Sequence, residues 1–337
     1  MSNLREDAMK ALRRTSIVLL AATLTAAGAL SAFAETARGS FERTLKVTGA
    51  VDLEVNTGSG SITVRTGGAS SVYVKGTIRA SSGLFGGLGD AQEKVRQLEA
   101  NPPIQQTGNS IRIGGVEDRW LRQNVSISYE LVVPADTRLR ADTGSGGVDV
   151  EGLGGPVSAD TGSGSIRISN IRGEVRADTG SGDIELDSIE GDVSVDTGSG
   201  LIRATGIAGG FVADTGSGSV RLEQIAPGRV QIDTGSGSVT AMGVRGSLTV
   251  DTGSGDITVQ GEPAGEWRLE ASSGSVTVRL PAQAGFDLDA HTGSGRIYTE
   301  HPITVRGALG RNTLQGKVRG GGFLLFVKTS SGNIYIE

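Results

Sequence analysis

The chain has 337 residues, with 54 glycines, 4% aromatic residues, no cysteine and a formal net charge of −5. So few aromatics exclude an ordinary globular core, and the apolar bulk must come from many small and β-branched side chains. A mildly acidic balance without Lys/Arg runs gives little reason to expect nucleic acid or anionic lipid as a partner, and the missing cysteines exclude a disulfide framework and a lipid-attachment thiol.

The first element in chain order is an export signal. Lys10, Arg13 and Arg14 precede an apolar run from Ser16 to Leu30, and Ala32-Phe33-Ala34 supplies a small-x-small cleavage site. That run falls short of the ~20 residues that a membrane-crossing helix needs. Residues 1–34 are therefore expected to be a cleaved signal peptide, leaving a mature chain with no transmembrane segment, exported to the periplasm or outside the cell.

Residues 35–135 are expected to form N-terminal strands carrying an insertion at about 83–124. The insertion opens with the apolar loop Leu84-Phe85-Gly86-Gly87-Leu88. A short helix runs from Asp90 to Ala100, with Asp90 as N-cap, Glu93 three residues on and Val95 and Leu98 on one face, before Pro102-Pro103 ends it. Ile104–Ile113 and Val125–Val133 read as longer strands leading into an array of coils that begins after Pro134. The helix is expected to cover the first coil of that array.

From residue 136 to 337 the sequence repeats. Asp-Thr-Gly-Ser-Gly begins at Asp142, Asp160, Asp178, Asp196, Asp214, Asp233 and Asp251, in steps of eighteen residues with a single nineteen. Degenerate copies stand at Asn56–Gly60, Glu270–Gly274, His291–Gly295 and Lys328–Gly332. Apolar residues alternate on both sides of each motif. Leu139, Val157, Val175, Val193 and Phe211 lead a row before it, paired with Ala141, Ala159, Ala177, Val195 and Ala213. Val148, Ile166, Ile184, Ile202 and Val220 lead a row after it. A further row, Leu153, Ile171, Ile189, Ile207, Ile225 and Val244, sits in the return to the next copy. Strand, glycine corner, strand is the pattern, and identical residues at fixed spacing favour like stacking on like over a meander of hairpins. The predicted fold is all-β: a β-solenoid, parallel β-helix-like, with rungs of about eighteen residues and two short strands each. One rung buries too little to fold alone, so both ends need caps, and Phe323-Leu324-Leu325-Phe326 is expected to close the far end.

Stacking at ~4.8 Å turns each repeated polar residue into a ladder. The Asp row, Asp142, Asp160, Asp178, Asp196, Asp214, Asp233 and Asp251, is read as a set of Asx-turns, each carboxylate accepting from the Thr and Gly amides after it. The same row is the candidate for calcium, because eighteen residues is also the coil length of calcium-binding β-rolls. Those rolls, however, place acids at both corners and after the glycines. No cofactor is expected otherwise. An outward row, Asp149, Arg167, Glu185, Arg203, Arg221, Thr240, Thr258 and Thr277, reads as a solvated face. No catalytic residue emerges. His291 and His301 are the only histidines, His291 stands where the motif has Asp, and no Gly-x-Ser-x-Gly elbow or His-based metal motif occurs.

The blocks Asp178–Ile184 and Asp251–Ile257, with the lead-in Tyr129-Glu130-Leu131-Val132-Val133-Pro134, resemble bacterial exported β-strand-repeat proteins catalogued as "putative adhesin" domains, a family of unknown function. The resemblance covers about residues 45–337. It implies a β-solenoid and an envelope location, and no catalytic residue. The expected function is a non-enzymatic binding or scaffold protein of the cell envelope, with an envelope glycan or protein as partner. A calcium-dependent β-roll and a polysaccharide-active β-helix enzyme stand as alternatives.

Overall fold

The computed structural model describes residues 36–82, 88–116, 118–305 and 310–337. The signal peptide expected at 1–34 and the apolar loop from Leu84 to Gly87 lie outside the described residues. β1 (Thr36–Lys46), β2 (Val51–Thr57), β3 (Ile62–Thr66) and β4 (Ser71–Ser81) come first. The helix Leu88–Ala100, β5 (Ile104–Thr107), β6 (Ser110–Ile113), a helical turn Arg119–Arg122 and β7 (Val125–Val133) come next. The regular array then runs through β8 (Thr137–Thr143), β9 (Val148–Glu151), β10 (Val157–Thr161), β11 (Ile166–Ile171), β12 (Val175–Thr179), β13 (Ile184–Ile189), β14 (Val193–Thr197) and β15 (Ile202–Ile207). It continues through β16 (Phe211–Thr215), β17 (Val220–Gln224), β18 (Val230–Ser236), β19 (Val239–Val244), β20 (Leu248–Ser254), β21 (Ile257–Gly261), β22 (Trp267–Ser273) and β23 (Val276–Arg279). The chain closes with β24 (Phe286–Ser294), β25 (Ile297–Thr299), β26 (Ile303–Val305), β27 (Thr313–Val318), β28 (Phe323–Ser331) and β29 (Ile334–Ile336).

The strands form two long sheets, of 14 and 15 strands among the described residues, one on each side of a single apolar core. Even-numbered strands from β8 to β22 line one sheet and odd-numbered strands from β9 to β23 the other, each pairing in parallel with the equivalent strand of the next rung. The register is like on like: Val157 faces Leu139 and Val175, and Ile166 faces Val148 and Ile184. The fold is the β-solenoid that the repeat predicts. Alternation puts every second residue into the core, and the rows headed by Leu139, Ala141, Val148 and Val150 are buried throughout the array.

Glycine at the corner results from this stacking. A Cβ on Gly164 would collide with the carbonyl of Gly146, and one on Gly182 with that of Gly164, so successive corners rest backbone on backbone. The return row depends on a second conformational demand. Gly152, Asn170, Ser188, Gly206 and Gly243 are left-handed, with φ between 57° and 84°. Each precedes an inward residue: Leu153, Ile171, Ile189, Ile207 and Val244. In the rung between those of Gly206 and Gly243 the position holds Gln224, a residue for which that conformation is unfavourable. The backbone there runs straight, Gln224 instead of Ile225 pairs with Ile207, and the inward position goes to the amide. Ile225, expected in the core, is 55% exposed, while Gln224 is 3% exposed.

Rung order in space departs from chain order at both ends. At the start, β2 and β3 stack directly on β8 and β9, while β6 and β7, which come later in the chain, lie on their outer side. Ile104–Ile113 is a hairpin turning at Gly108 (φ 61°), not one strand leading into the array. The helix begins two residues before Asp90 and packs against β1 and β4 through Ala91, Val95 and Leu98. It comes so close to β1 that a Cβ on Gly39 would strike Val95 and Glu99. At the far end, β28 lies between β22 and β24, and β29 between β23 and β25. The aromatic segment is thus the penultimate rung. Leu325 is buried and Phe323 stacks on Phe286 at 5.8 Å, whereas Leu324 is exposed on the opposite face.

Candidate functional site

The strands ending in Asp-Thr place these two side chains on opposite faces of the sheet. Thr143, Thr161, Thr179, Thr197, Thr215, Thr234 and Thr252 are buried. Thr161 Oγ1 donates to Gly146 O at 2.9 Å and accepts from the Gly164 amide at 3.1 Å. Thr179 repeats this with Gly164 and Gly182 at 2.9 and 3.1 Å. The result is a hydrogen-bonded column running through the corners from rung to rung. The corner amide is met by the threonine hydroxyl and not, as the Asx-turn reading expects, by the aspartate. Because the hydroxyls point inward, the Thr row forms no surface array.

The Asp row is left free to face solvent. Asp142, Asp160, Asp178, Asp196, Asp214, Asp233 and Asp251 are all brought together in register, and Glu270 extends them to eight consecutive carboxylates. At ~4.8 Å per step the row is about 34 Å long. Asn56 ends it on one side, and Lys328 then His291 end it on the other. Partial burial, and then the neighbouring carboxylates, raise the proton affinity of Asp178, Asp196 and Asp251. Asp142 is raised in the same way, with Arg140 opposing. The row is a line, not a cage. Among the described residues no three His, Asp or Glu side chains converge as a metal centre would need, whereas calcium takes six to eight oxygens.

Two further features have no signature in the repeat. Beside the start of the Asp row, a groove of about 370 Å³ runs across the outer face of β6, β2, β8, β10 and β12. Ser158 lies between Arg140 and Arg176 in the register, so a short side chain floors a slot walled by long ones. Arg112 pairs with Glu54 at 3.3 Å and Arg176 with Glu174 at 3.6 Å, whereas Arg138 and Arg140 enter no close ion pair among the described residues. The pattern Arg-x-Arg on one strand, with Arg176 two rungs on, is the signal that could have located it. At the other end, Asp289 lies 2.7 Å from His291 Nε2, Thr313 Oγ1 is 3.3 Å from His291 Nδ1, and Gln315 donates to Asp289 at 2.9 Å. This file of hydroxyl, imidazole and carboxylate ties β27 to β24 and engages both ring nitrogens. His301, the other histidine, is buried edge-on against Phe286 at 5.4 Å.

On the opposite sheet the expected outward row stands in register from Asp149 through Arg167, Glu185, Arg203, Arg221, Thr240 and Thr258 to Thr277. Arg167 pairs with Glu185 at 3.0 Å and Asp149 with Arg65 at 2.9 Å. The row ends in Tyr335 and Tyr298, stacked at 5.1 Å.

No curated protein matches the chain. Among solved structures it is similar to a putative cell adhesion protein from Clostridium sporogenes, at 12% identity and a TM-score of 0.19, over 89% of this chain and 99% of that one. It is also similar to a putative adhesin from Bacteroides fragilis, at 12% identity and a TM-score of 0.26, over 89% and 97%. No helix among the described residues is long and apolar enough to cross a membrane. Residues 174–337, from β12 onward, match the family model described as Toastrack DUF4097.

Proposed function

We propose that the chain is a non-enzymatic binding or scaffold module, exported to the bacterial envelope, whose working surface is the outer face carrying the carboxylate row. One observation carries this reading: the Asp of the motif is released from any role in the turn, yet it recurs in seven rungs where its neighbours repel it. Folding alone would be served as well by a neutral residue. A rigid row of like charges at fixed spacing suits a repetitive or extended cationic partner, such as a basic protein segment or an amino-sugar polymer. The adjoining arginine groove would take an anionic group of the same partner.

The mature protein and a variant with Asp160, Asp178, Asp196 and Asp214 changed to Asn would be immobilised side by side and exposed to envelope fractions and a glycan array. A ligand retained by the first and lost by the second supports the reading. Equal retention on both surfaces would remove the carboxylate row from it.

Calcium on the same row is the second reading, favoured by the stacked carboxylates alone. Melting curves that coincide in calcium and in chelator would end it.

A further inference from the structure

We infer that the C-terminal rung, β28 and β29, is exchangeable between two copies of this chain, so that the protein forms a reciprocal dimer joined at the ends of its arrays. The order of the strands is the first ground for it. β28 is among the last segments to emerge in the chain, yet it pairs with β22 along Trp267–Ser273 and with β24 along Phe286–Ser294. β29 likewise lies between β23 and β25. Until this rung arrives, β22 and β24 face each other across a slot two strand spacings wide, about 9.6 Å, with unpaired amides and carbonyls on both sides.

The slot is specific for the segment that fills it. Leu325, Val327, Ile334 and Ile336 are buried in the core. Thr329 Oγ1 donates to Gly274 O at 2.9 Å and Thr292 Oγ1 to Gly332 O at 2.8 Å, so the rung also completes the threonine column. A foreign strand would have to supply the same alternation, the Thr and the corner Gly. A second copy of this chain supplies them all, and its own slot receives the first copy's rung in return.

The hinge favours the exchange. Residues 319–322 carry the chain from β27, on one side of β24, to β28 on the other. Within them Arg319, Gly320 and Gly321 are left-handed in succession, with φ of 49°, 90° and 90°, and Arg319 is not a glycine. Opening the hinge into an extended connection relieves that conformation while every contact in the slot is remade between copies. A short strained hinge beside a self-complementary segment is the condition under which swapping is favoured. The dimer would present two carboxylate rows on one particle and so bind a repetitive partner bivalently.

The absence of cysteine makes the test clean. Arg268 and Phe326 are register partners on β22 and β28. Arg268→Cys and Phe326→Cys are introduced into separate chains, and the two are unfolded together and refolded at high concentration in air. The expected result is a covalent dimer containing one of each chain, well above the amount from either variant alone, because only exchange brings the two cysteines together. The double variant in one chain, refolded dilute, should close the same bond internally and shows that the geometry is right. Lengthening the hinge with Gly-Ser-Gly-Ser between Gly320 and Gly321 should lower the dimer fraction several-fold by light scattering. If the mixture yields no more covalent dimer than the single variants while the double variant closes internally, exchange is overturned. A dimer fraction untouched by the longer hinge would equally place the contact elsewhere.

Discussion

Gln224 shows how one side chain can redirect a whole rung. Its Nε2 donates to Gly209 O at 3.1 Å, but its Oε1 is buried without a partner, and Ile225 is turned out to solvent. Gln224→Gly would admit the left-handed conformation found at Gly206 and Gly243, and Ile225 would then enter the core. Burying an isoleucine stabilises by roughly 1.5–3 kcal/mol, against about 1 kcal/mol for the added glycine freedom. Melting curves should show a gain on the order of 1 kcal/mol. A loss would mean that the corner after Gln224, lengthened around Pro227, holds the rung in its present register. The Asp row gives a second prediction at this scale. Because the folded state holds protons on Asp178 and Asp196 more tightly than the ordinary value of 3.8, their contribution is fully present below that value and is lost as pH rises through the raised one. Asp178→Asn with Asp196→Asn should therefore melt higher than the parent at neutral pH, with the difference shrinking as pH falls toward 4. A difference independent of pH would point to something other than charge.

At the scale of the element, the rung is held at its corner by threonine. Both Asp and Thr fit a turn before glycine by residue type, and the repeat cannot tell which one faces inward, since each occurs once per rung at the end of a strand. Alternation does distinguish them. Ala177 is inward, so Asp178 points out and Thr179 in, and the swap of roles was legible once the strand was carried through the motif. Thr179→Val keeps the shape but leaves Gly164 O and the Gly182 amide without that hydroxyl. The expected cost is about 1–3 kcal/mol, read by denaturant unfolding. Ile225 was not legible in the same way. Its spacing matches Ile207, and only the conformational preference of the residue before it separates the two.

For the whole molecule, periodicity determines which residues face the core and leaves the stacking order open. The array from β8 to β23 keeps to chain order because each rung ends one step from where the next must begin. At the two ends long connections free the chain from that rule, and nothing in the motif spacing shows that β6 and β7 lie outside β2 and β3, or that β28 enters between β22 and β24. Within the regular part the rungs are interchangeable. Deleting residues 178–195 joins Ala177 to Asp196 and should leave a folded protein with a single, somewhat lower melting transition by circular dichroism. Failure to fold would show that the rungs differ in more than position.

The row from Asp142 to Glu270 also has a consequence for the water around it. Two unit charges in water repel by RT at about 7 Å, and these stand at about 4.8 Å. A line so closely charged behaves as a short polyelectrolyte and draws a local atmosphere of cations from the medium. A partner that lies down along it must displace those ions, so part of its affinity is the entropy of their release, and binding should weaken steeply with the logarithm of salt concentration.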